Sequence, residues 1–277
     1  MTKSVVEQHR SWCGHQKNSD FPITSSYGGH YFSARQATWI DAFRRTLPKS
    51  RVARRVALGA LIQASSQCAA SPGHTAQPFQ PTPTAMRFLH ESWQRNVVEK
   101  IRDALIALAA TKVKEKGLAR KIDANLLAKS LKRGDLVFID PPYSGVHYSR
   151  FYHVLESIAL GRCTKVFGIG RYPSEMKRPR SRYSVQTEAH LALDELLQTI
   201  AERGAKAILT FPDHECSNGL SGSSVQKIAA RHFFITKITV ASRFSSLGGT
   251  SDNRGNEAGR PARRSARELV LVLNTTR

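Results

Sequence analysis

Apolar residues recur along this chain at two different spacings, and the change falls near residue 130. From Tyr27 to about Ser130 the spacing is mostly helical. Ser33-Ala34-Arg35-Gln36 reads as a cap opening a helix through Trp39, Ile40, Ala42 and Phe43. A second helix is predicted from about Arg51 to Cys68. A loop then runs from Ser71 to Pro83, because Pro72, Pro78, Pro81 and Pro83 forbid regular helix. Val97, Ile101, Leu105 and Leu108 resume the helical repeat.

Beyond Gly134 the pattern shortens. Leu136-Val137-Phe138-Ile139 is an unbroken apolar run ending in turn chemistry, which predicts a strand buried on both faces of a parallel sheet. A helix is expected from near Ser149 to Gly161. Another is expected from about Thr187 to Arg203, burying Ala189, Leu193, Leu196 and Ile200, with Gly204 as its left-handed terminator. Ala207-Ile208-Leu209-Thr210-Phe211 is the next strand, followed by a helix from about Ser223 to Ala230. Two β-rich stretches close the chain, His232 to Ala241 and Glu268 to Leu273. This order implies an α/β fold, a partial Rossmann-like, doubly wound sheet with an antiparallel C-terminal ending, plus a mainly helical N-terminal region. The expected division is an unassigned segment 1–26, a helical region 27–130 and a sheet-bearing region 131–277.

The chain is long enough, at 277 residues, to bury a core, and at 40% hydrophobic it is too apolar to be disordered. No apolar run is long enough to span a membrane, and Met1 to Asp20 lacks the apolar core of a secretory signal. Cys13, Cys68, Cys163 and Cys216 stand far apart and form no CxxC pair, so neither a disulfide framework nor a zinc knuckle is expected. A reducing, cytoplasmic compartment fits best. Charge changes the picture most. A net +21 implies a polyanionic partner, most often nucleic acid. Six basic residues and no acidic one lie between Arg44 and Arg55. A second cluster joins Arg171, Lys177, Arg178, Arg180 and Arg182; a third joins Arg254, Arg260, Arg263, Arg264 and Arg267. Arg44, Arg45, Arg51, Arg54, Arg55, Lys177, Arg178 and Arg180 are the candidate DNA contacts, to phosphates rather than to bases. For any one cluster, a solvated helix face or loop explains the charge equally well.

The sharpest motif is Asp140-Pro141-Pro142-Tyr143, expected by chance in about one chain of this length in a thousand. It stands where the Leu136–Ile139 strand ends, the edge at which open α/β sheets bind ligands. An ordinary strand-exit turn explains Asp and Pro but does not require the Tyr. The functional reading of the four residues is capture of a nucleobase amine. An exocyclic amine is a poor nucleophile because its lone pair is delocalised into the ring. Two acceptors aimed at its N–H groups, the Asp140 carboxylate and the Pro141 carbonyl, would hold the nitrogen nearer to tetrahedral. The prolines pre-position both acceptors. Tyr143 would stack on a base that has left the duplex. Such catalysis is positioning and electrostatics.

At these residues the chain resembles the adenine-specific DNA methyltransferases of the DNA adenine methylase type. "GDLVFIDPPYSGVHYSRFYHVLE", "AKAILTFPDHECSNGLSG" and "SRFSSLGG…ELVLVLN" are similar to segments of that family, in its order, and "YGGHYFSARQATWIDAFR" resembles the start of its helical target-recognition region. The resemblance runs from about Tyr27 to Leu273. It implies methyl transfer from S-adenosylmethionine to the N6 of adenine in DNA, with Asp140 and Pro141 at the amine, Tyr143 on the adenine face, and Asp140 also bordering the cofactor. It implies a restriction-modification setting and a cognate restriction enzyme as a partner. Family members with this motif order carry a Gly-rich, FxGxG-like turn before the recognition region, which binds the methionine part of the cofactor. Here there is none, since Gly28-Gly29 and Gly168-Ile169-Gly170 follow no buried strand. The expectation is a shortened methyltransferase or one half of a split enzyme, lacking the first three strands and leaving one edge of the Ile139 strand unpaired. From another class, the chain would be a non-catalytic DNA-binding remnant. Pro-Pro-aromatic motifs also serve enzymes that methylate RNA bases or protein glutamine; the Asp and the basic charge favour DNA.

Weaker signals are read conservatively. Adjacent residues cannot converge on one ion, so His214-Glu215-Cys216 is read as a loop and no metal is expected. Ser217-Asn218-Gly219 is read either as contacting base or backbone or as capping the next helix. Tyr148, Phe151 and Tyr152 are read as core packing or as added stacking surface. His147 and His153 are read as packing or hydrogen-bonding groups, because the amine needs no strong base.

Overall fold

The helix that Ser33 is expected to open begins at the next residue in the computed structural model of the chain, as α3, Ala34–Arg45. Ser33 Oγ accepts from the Gln36 amide at 3.2 Å while Gln36 Oε1 accepts from the Ser33 amide at 2.9 Å, a reciprocal cap that satisfies two donors otherwise left over at a helix start. The structure describes residues 1–16, 20–174, 179–242 and 266–275. Two compact units interleave along the chain: Met1–Lys116 with Tyr148–Pro179, and Gly117–His147 with Arg180–Arg277. The sequence pattern puts a single boundary at 130. Instead the segment after the Asp-Pro-Pro-Tyr motif returns to the first unit, because its helix buries Val154 and Ile158 in that unit's core.

The first unit is helical. It contains α1 (Lys3–His15), α2 (Pro22–Tyr27), α3, α4 (Arg51–Cys68), α5 (Met86–Gln94), α6 (Val97–Ala110) and, after the excursion into the other unit, α8 (Tyr148–Leu160). A short antiparallel hairpin of β2 (Val166–Phe167) and β3 (Tyr172–Pro173) follows α8. The core gathers Tyr27, Tyr31, Phe32, Ile40, Leu61, Ile101, Val154 and Ile158. Its buried hydroxyls are paired: Tyr27 Oη meets Ser157 Oγ at 3.0 Å, and Tyr31 Oη donates to the carbonyls of Thr75 and Gly170 at 2.7 and 2.9 Å, as burial of phenols requires. The buried Asp41 carboxylate accepts from the amides of Ile23 and Thr24 and from the Thr24 hydroxyl, fixing the start of α2. Burial raises its pKa against the opposing pull of those bonds.

The second unit holds α7 (Ala124–Ala128), β1 (Leu136–Ile139), α9 (Ala189–Glu202), β4 (Lys206–Pro212), α10 (Gly222–Ala230), β5 (Phe234–Ser242) and β6 (Ala266–Asn274). Its sheet has the order β1-β4-β6-β5. β1 runs parallel to β4, with Ile139 opposite Leu209; β6 is antiparallel to both β4 and β5. Ile139, Ala207, Leu209, Phe211, Leu269, Leu271 and Leu273 share a core with Ala189, Leu193, Leu197 and Ile200 of α9 and Val225 of α10. Gly204 ends α9 at φ +67°, as expected of a left-handed terminator.

One expectation is overturned here. β1 is not buried on both faces: Leu136 and Phe138 are 68% and 67% exposed, whereas Ile139 is buried. The reason is geometric. Among the described residues β1 pairs only with β4, so it is an edge strand, and the helices of its unit cover the opposite face of the sheet. The helices of this unit therefore cover one face of a mixed four-stranded sheet, not both faces as a doubly wound sheet requires.

Burial in the first unit yields a test. His30 is desolvated and lies near Arg171 and Arg10, which together push its pKa from 6.5 down to about 3. The folded chain keeps this ring neutral while the unfolded chain takes up a proton. Stability from this group is thus intact above about pH 6.5 and falls as the pH drops toward 3, by up to about 1.4 kcal/mol per pH unit. Urea unfolding at pH 7 and pH 5 should show the loss, and His30→Gln should reduce it.

Candidate active site

At the end of β1 the chain passes from the buried Ile139 to the exposed Asp140 and then, through Pro141 and Pro142, to the exposed Tyr143. Both prolines fix φ and hold the residue before them extended, so the backbone leaves the sheet on one defined path. Parallel pairing brings β4 alongside, and Thr210 Oγ1 donates to Asp140 Oδ1 at 3.3 Å and reaches the Ile139 carbonyl at 3.5 Å. Among the described residues no donor reaches Asp140 Oδ2 or the Pro141 carbonyl. Two acceptors thus stand unengaged on adjacent residues at the carboxyl end of a strand, oriented by a proline pair and a threonine.

The loop following β4 locks the motif from behind. Asn218 is fully buried. Its Nδ2 donates to the carbonyls of Pro142 at 2.8 Å and Tyr183 at 2.9 Å, and its Oδ1 accepts from the Leu220 amide at 3.3 Å. Ser217 Oγ accepts from the Gly145 amide at 3.0 Å. A Cβ on Gly145 would lie 3.0 Å from the Ser217 carbonyl oxygen, so the two loops touch backbone to backbone. Gly219 turns at φ +85°, and Glu215 bridges Ser221 across the loop. Ser217 and Asn218 thus bond to this chain's own backbone, and Ser217-Asn218-Gly219 does not cap the next helix. The cap of α10 falls instead to Ser221, whose Oγ accepts from the Ser224 amide. Thr210 and Tyr183 were not legible as site residues, because a threonine on a strand and a tyrosine before a helix carry no positional signal of their own.

The histidines behave as packing and hydrogen-bonding groups. His147 Nδ1 accepts from the Ser181 amide at 3.3 Å. In the first unit, His153 lies between the carbonyls of Arg150 and Gly170 at 3.1 and 2.9 Å, amid the rings of Tyr27, Tyr31 and Tyr172. Tyr148, Phe151 and Tyr152 are grouped ring against ring on α8 of the first unit. That unit also carries a cavity of about 480 Å³ beside His9, Trp39 and Trp93. Among the described residues no cluster of three or more His, Cys, Asp or Glu is placed to hold a metal.

The basic residues divide into two kinds. Arg44 donates from Nε and Nη2 to the carbonyls of Ile158 and Ala159, both at 2.9 Å, at the end of α8, and burial lowers its pKa. Arg171 donates from Nε to the Ser26 carbonyl at 2.7 Å. Arg182 forms a two-point pair with Glu195 at 2.7 and 3.3 Å. Arg45 pairs with Asp20 at 3.3 Å and lies over the Phe21 ring. Arg51, Arg54 and Arg55 are exposed on the first turns of α4, and Arg180 is also exposed. α4 begins without a side-chain cap, leaving its amino end open to an anion. Lys177 and Arg178, and Arg254, Arg260, Arg263 and Arg264 of the third cluster, lie outside the described residues.

Residues 23–207 match the family model described as D12 class N6 adenine-specific DNA methyltransferase. Over 79 residues the chain is 37% identical to the modification methylase LlaI of Lactococcus lactis subsp. lactis, a match covering 28% of this chain and 12% of that protein. The modification methylase StsI of Streptococcus sanguinis is 35% identical over 78 residues, again 28% and 12%. The type II methyltransferase M.FokI of Planomicrobium okeanokoites is 46% identical over 46 residues, 17% of this chain and 7% of that protein. The matched stretch thus spans only a small part of these relatives' length. No solved structure matches the chain.

The loop clamp can be tested without any ligand. Asn218→Ala removes the donor to two carbonyls and leaves both in a buried place, which should cost about 2–4 kcal/mol. Asn218→Asp, which keeps one acceptor but loses the donor, should be about as damaging. Chemical unfolding of the three proteins checks both.

Proposed function

Because the chain belongs to the D12 class N6 adenine-specific DNA methyltransferases, we propose that it is the amine-holding part of a site-specific DNA adenine methyltransferase. The observation that carries this reading is the pair of unengaged acceptors, Asp140 Oδ2 and the Pro141 carbonyl, on a proline-stiffened strand exit. An adenine that has left its duplex offers two N6–H donors. Accepting both would draw the nitrogen away from conjugation with the ring and aim its lone pair outward. Tyr143, exposed beside them, supplies a ring for the base to stack on, and Thr210 keeps the carboxylate turned toward the amine. After transfer the nitrogen sheds a proton, for which the nearby carboxylate and solvent suffice. The sheet-bearing unit takes the part of a partial Rossmann-like catalytic half, and the segment from Tyr27 that of the recognition region.

DNA is held through phosphates. Arg51, Arg54 and Arg55 line one side of the open amino end of α4, and Arg180, Lys177 and Arg178 are assigned to the same task. Arg44 and Arg45, with their internal partners, are secondary. No helix among the described residues is long and apolar enough to cross a membrane; a cytoplasmic place, in a restriction-modification system with a cognate nuclease, belongs to the same proposal.

S-adenosylmethionine is the methyl donor the family implies, and the residues present do not by themselves fit it. A crevice at a strand's carboxyl end needs a strand on each side, and among the described residues β1 has one neighbour. Gly168-Ile169-Gly170 sits in the β2–β3 hairpin rather than between a strand and a helix. Asp140 is the residue assigned here to border the donor. The unpaired edge of β1 favours, as a second reading, a DNA-binding subunit of a split enzyme.

Two measurements test the proposal. The chain should be expressed together with its flanking genomic DNA in a host lacking adenine methylation. N6-methyladenine should then appear in nucleoside digests, and Asp140→Ala should lower it by about a thousandfold or more while DNA binding persists. Methyl groups on cytosine or on protein glutamine instead would overturn the adenine assignment, and none at all with intact DNA binding would leave the binding subunit. For the purified chain, affinity for duplex DNA should fall steeply with salt. Replacing Arg51, Arg54 and Arg55 by Ala should flatten the log–log slope by about 0.9 for each phosphate no longer neutralised.

A further inference from the structure

All three tryptophans of this chain come together in the first unit, around two adjoining hollows. The deeper is the cavity of about 480 Å³, where Trp39, Trp93 and His9 supply rings and Arg35 and Arg95 supply charge. The shallower, of about 320 Å³, is lined by Trp12, Thr38 and again Arg35 and Trp39, so these last two form the partition. Trp12 and Trp39 are 48% and 43% exposed, a large indole area to leave in water. The walls are fixed by hydrogen bonds. Gln36 Nε2 donates to the carbonyls of Ser92 and Arg95, both at 2.9 Å, tying α3 to the end of α5. His9 Nδ1 accepts from the Ala34 amide at 3.0 Å, tying α1 to α3, and its ring centroid lies 4.9 Å from that of Trp93. Three helices thus meet around a space that none of them fills. Trp93 is only 7% exposed, and its Nε1 is a buried donor with no hydrogen-bond partner, an arrangement that packing alone disfavours.

The chemistry of the lining selects the occupant. Indole and imidazole rings offer flat faces. Arg35 is exposed at the partition, whereas Arg95 also donates to the Gln67 carbonyl. α6 starts at Val97 on the same wall, which adds the positive end of a helix dipole. Among the described residues no carboxylate lines either hollow, so a cationic ligand finds no counter-charge there. A ligand with flat apolar faces and a negative edge matches, and a nucleotide is one. Two hollows divided by one indole suit two successive nucleotides. In a duplex each base face is covered by its neighbour, so only an unpaired strand can present both. We propose that the double hollow binds single-stranded nucleic acid. One base enters the cavity, the next lies against Trp12 and Trp39, and Arg35 meets the phosphate between them. A small turn of the Trp93 ring would bring its Nε1–H to a base carbonyl. This site uses no residue of the Asp140 motif, which belongs to the second unit. Nor does it use the arginines of α4, assigned above to the phosphates of double-stranded DNA, and it does not depend on methyl transfer.

The probes are thymidine and uridine oligomers of about eight nucleotides, an abasic strand of the same length and charge, the matching duplex, and free thymidine 5′-monophosphate. Each is added to the full chain while tryptophan fluorescence and the anisotropy of a labelled strand are followed. The expected result is saturable quenching by a single strand, at an affinity at least about tenfold above that of the abasic strand or the duplex. The tighter of the two sugars identifies DNA or RNA as the source, and either supports the site. Trp39→Ala should weaken the strand by about tenfold or more. Arg35→Ala should flatten the log–log salt slope by about 0.7. Both side chains are exposed on α3, so circular dichroism should not change. The abasic comparison is made on unaltered protein and stands even if a variant fails to fold. Asp140→Ala should leave strand affinity unaltered, which separates this site from the fate of the methyl-transfer reading. Three results would overturn the proposal: an abasic strand or duplex that binds as tightly as the single strand, no effect of Trp39→Ala, or a free mononucleotide that binds as tightly as the strand, which would make the cavity a small-molecule site.

Discussion

With Ile139 set beside Leu209 by the parallel pairing of β1 and β4, Asp140 emerges next to Thr210, and the rest of the site is arranged around that meeting. A strand that stops at a proline pair has no freedom to turn back, so its carboxylate and the next carbonyl project beyond the sheet. Asn218 then ties the second proline's carbonyl to the loop beyond β4. The motif is held through main-chain atoms and two polar side chains, with Asp140 exposed and Pro141 buried beside it.

The helical unit is organised by a different device. Tyr27, Tyr31 and Phe32, in the segment resembling a recognition region, are wholly buried. Their role in this chain is to build the core on which the exposed arginines of α4 are mounted. The phenols reach carbonyls and a serine, and the Asp41 carboxylate reaches the start of α2, so these buried groups are answered, while Trp93 Nε1, Ser149 Oγ and Arg150 Nε of the same unit have no hydrogen-bond partner.

Much of this was legible in the residues. The α4 limits Arg51–Cys68 and the β1 limits Leu136–Ile139 follow from periodicity alone, and the Ser33 cap and Gly204 terminator from local chemistry, because both depend on neighbours three or four positions away. Burial was not legible to the same degree. Leu136-Val137-Phe138-Ile139 reads as a strand hidden on both sides because apolarity reports what a residue prefers, not whether a partner is present to satisfy it. α1 escaped notice because of its thirteen residues only Val6 and Cys13 are buried, too few to make a periodic stripe. Charge clusters misled in a similar way: Arg44, Arg171 and Arg182 are counted with their exposed neighbours until their hydrogen bonds are seen. In the site, the Asp-Pro-Pro-Tyr motif announced itself, whereas Thr210 and Asn218 are ordinary residues made important by a sheet register and a loop path that only three dimensions supply.

The guanidinium of Arg44 closes the end of α8 by meeting two successive carbonyls at once, over a glycine, Gly161, whose missing side chain leaves room for it. Arg171 reaches the successive carbonyls of Ser26 and Ser25 in the same manner, and Arg10 serves the single carbonyl of Gly29. Part of this chain's cationic character is therefore internal masonry, joining helix ends and turns that would otherwise hold water. Lysine could not take its place, since an ammonium lacks the planar fork that spans paired oxygens. A surplus of arginine can thus record how a polypeptide is fastened together as much as what it is built to grasp.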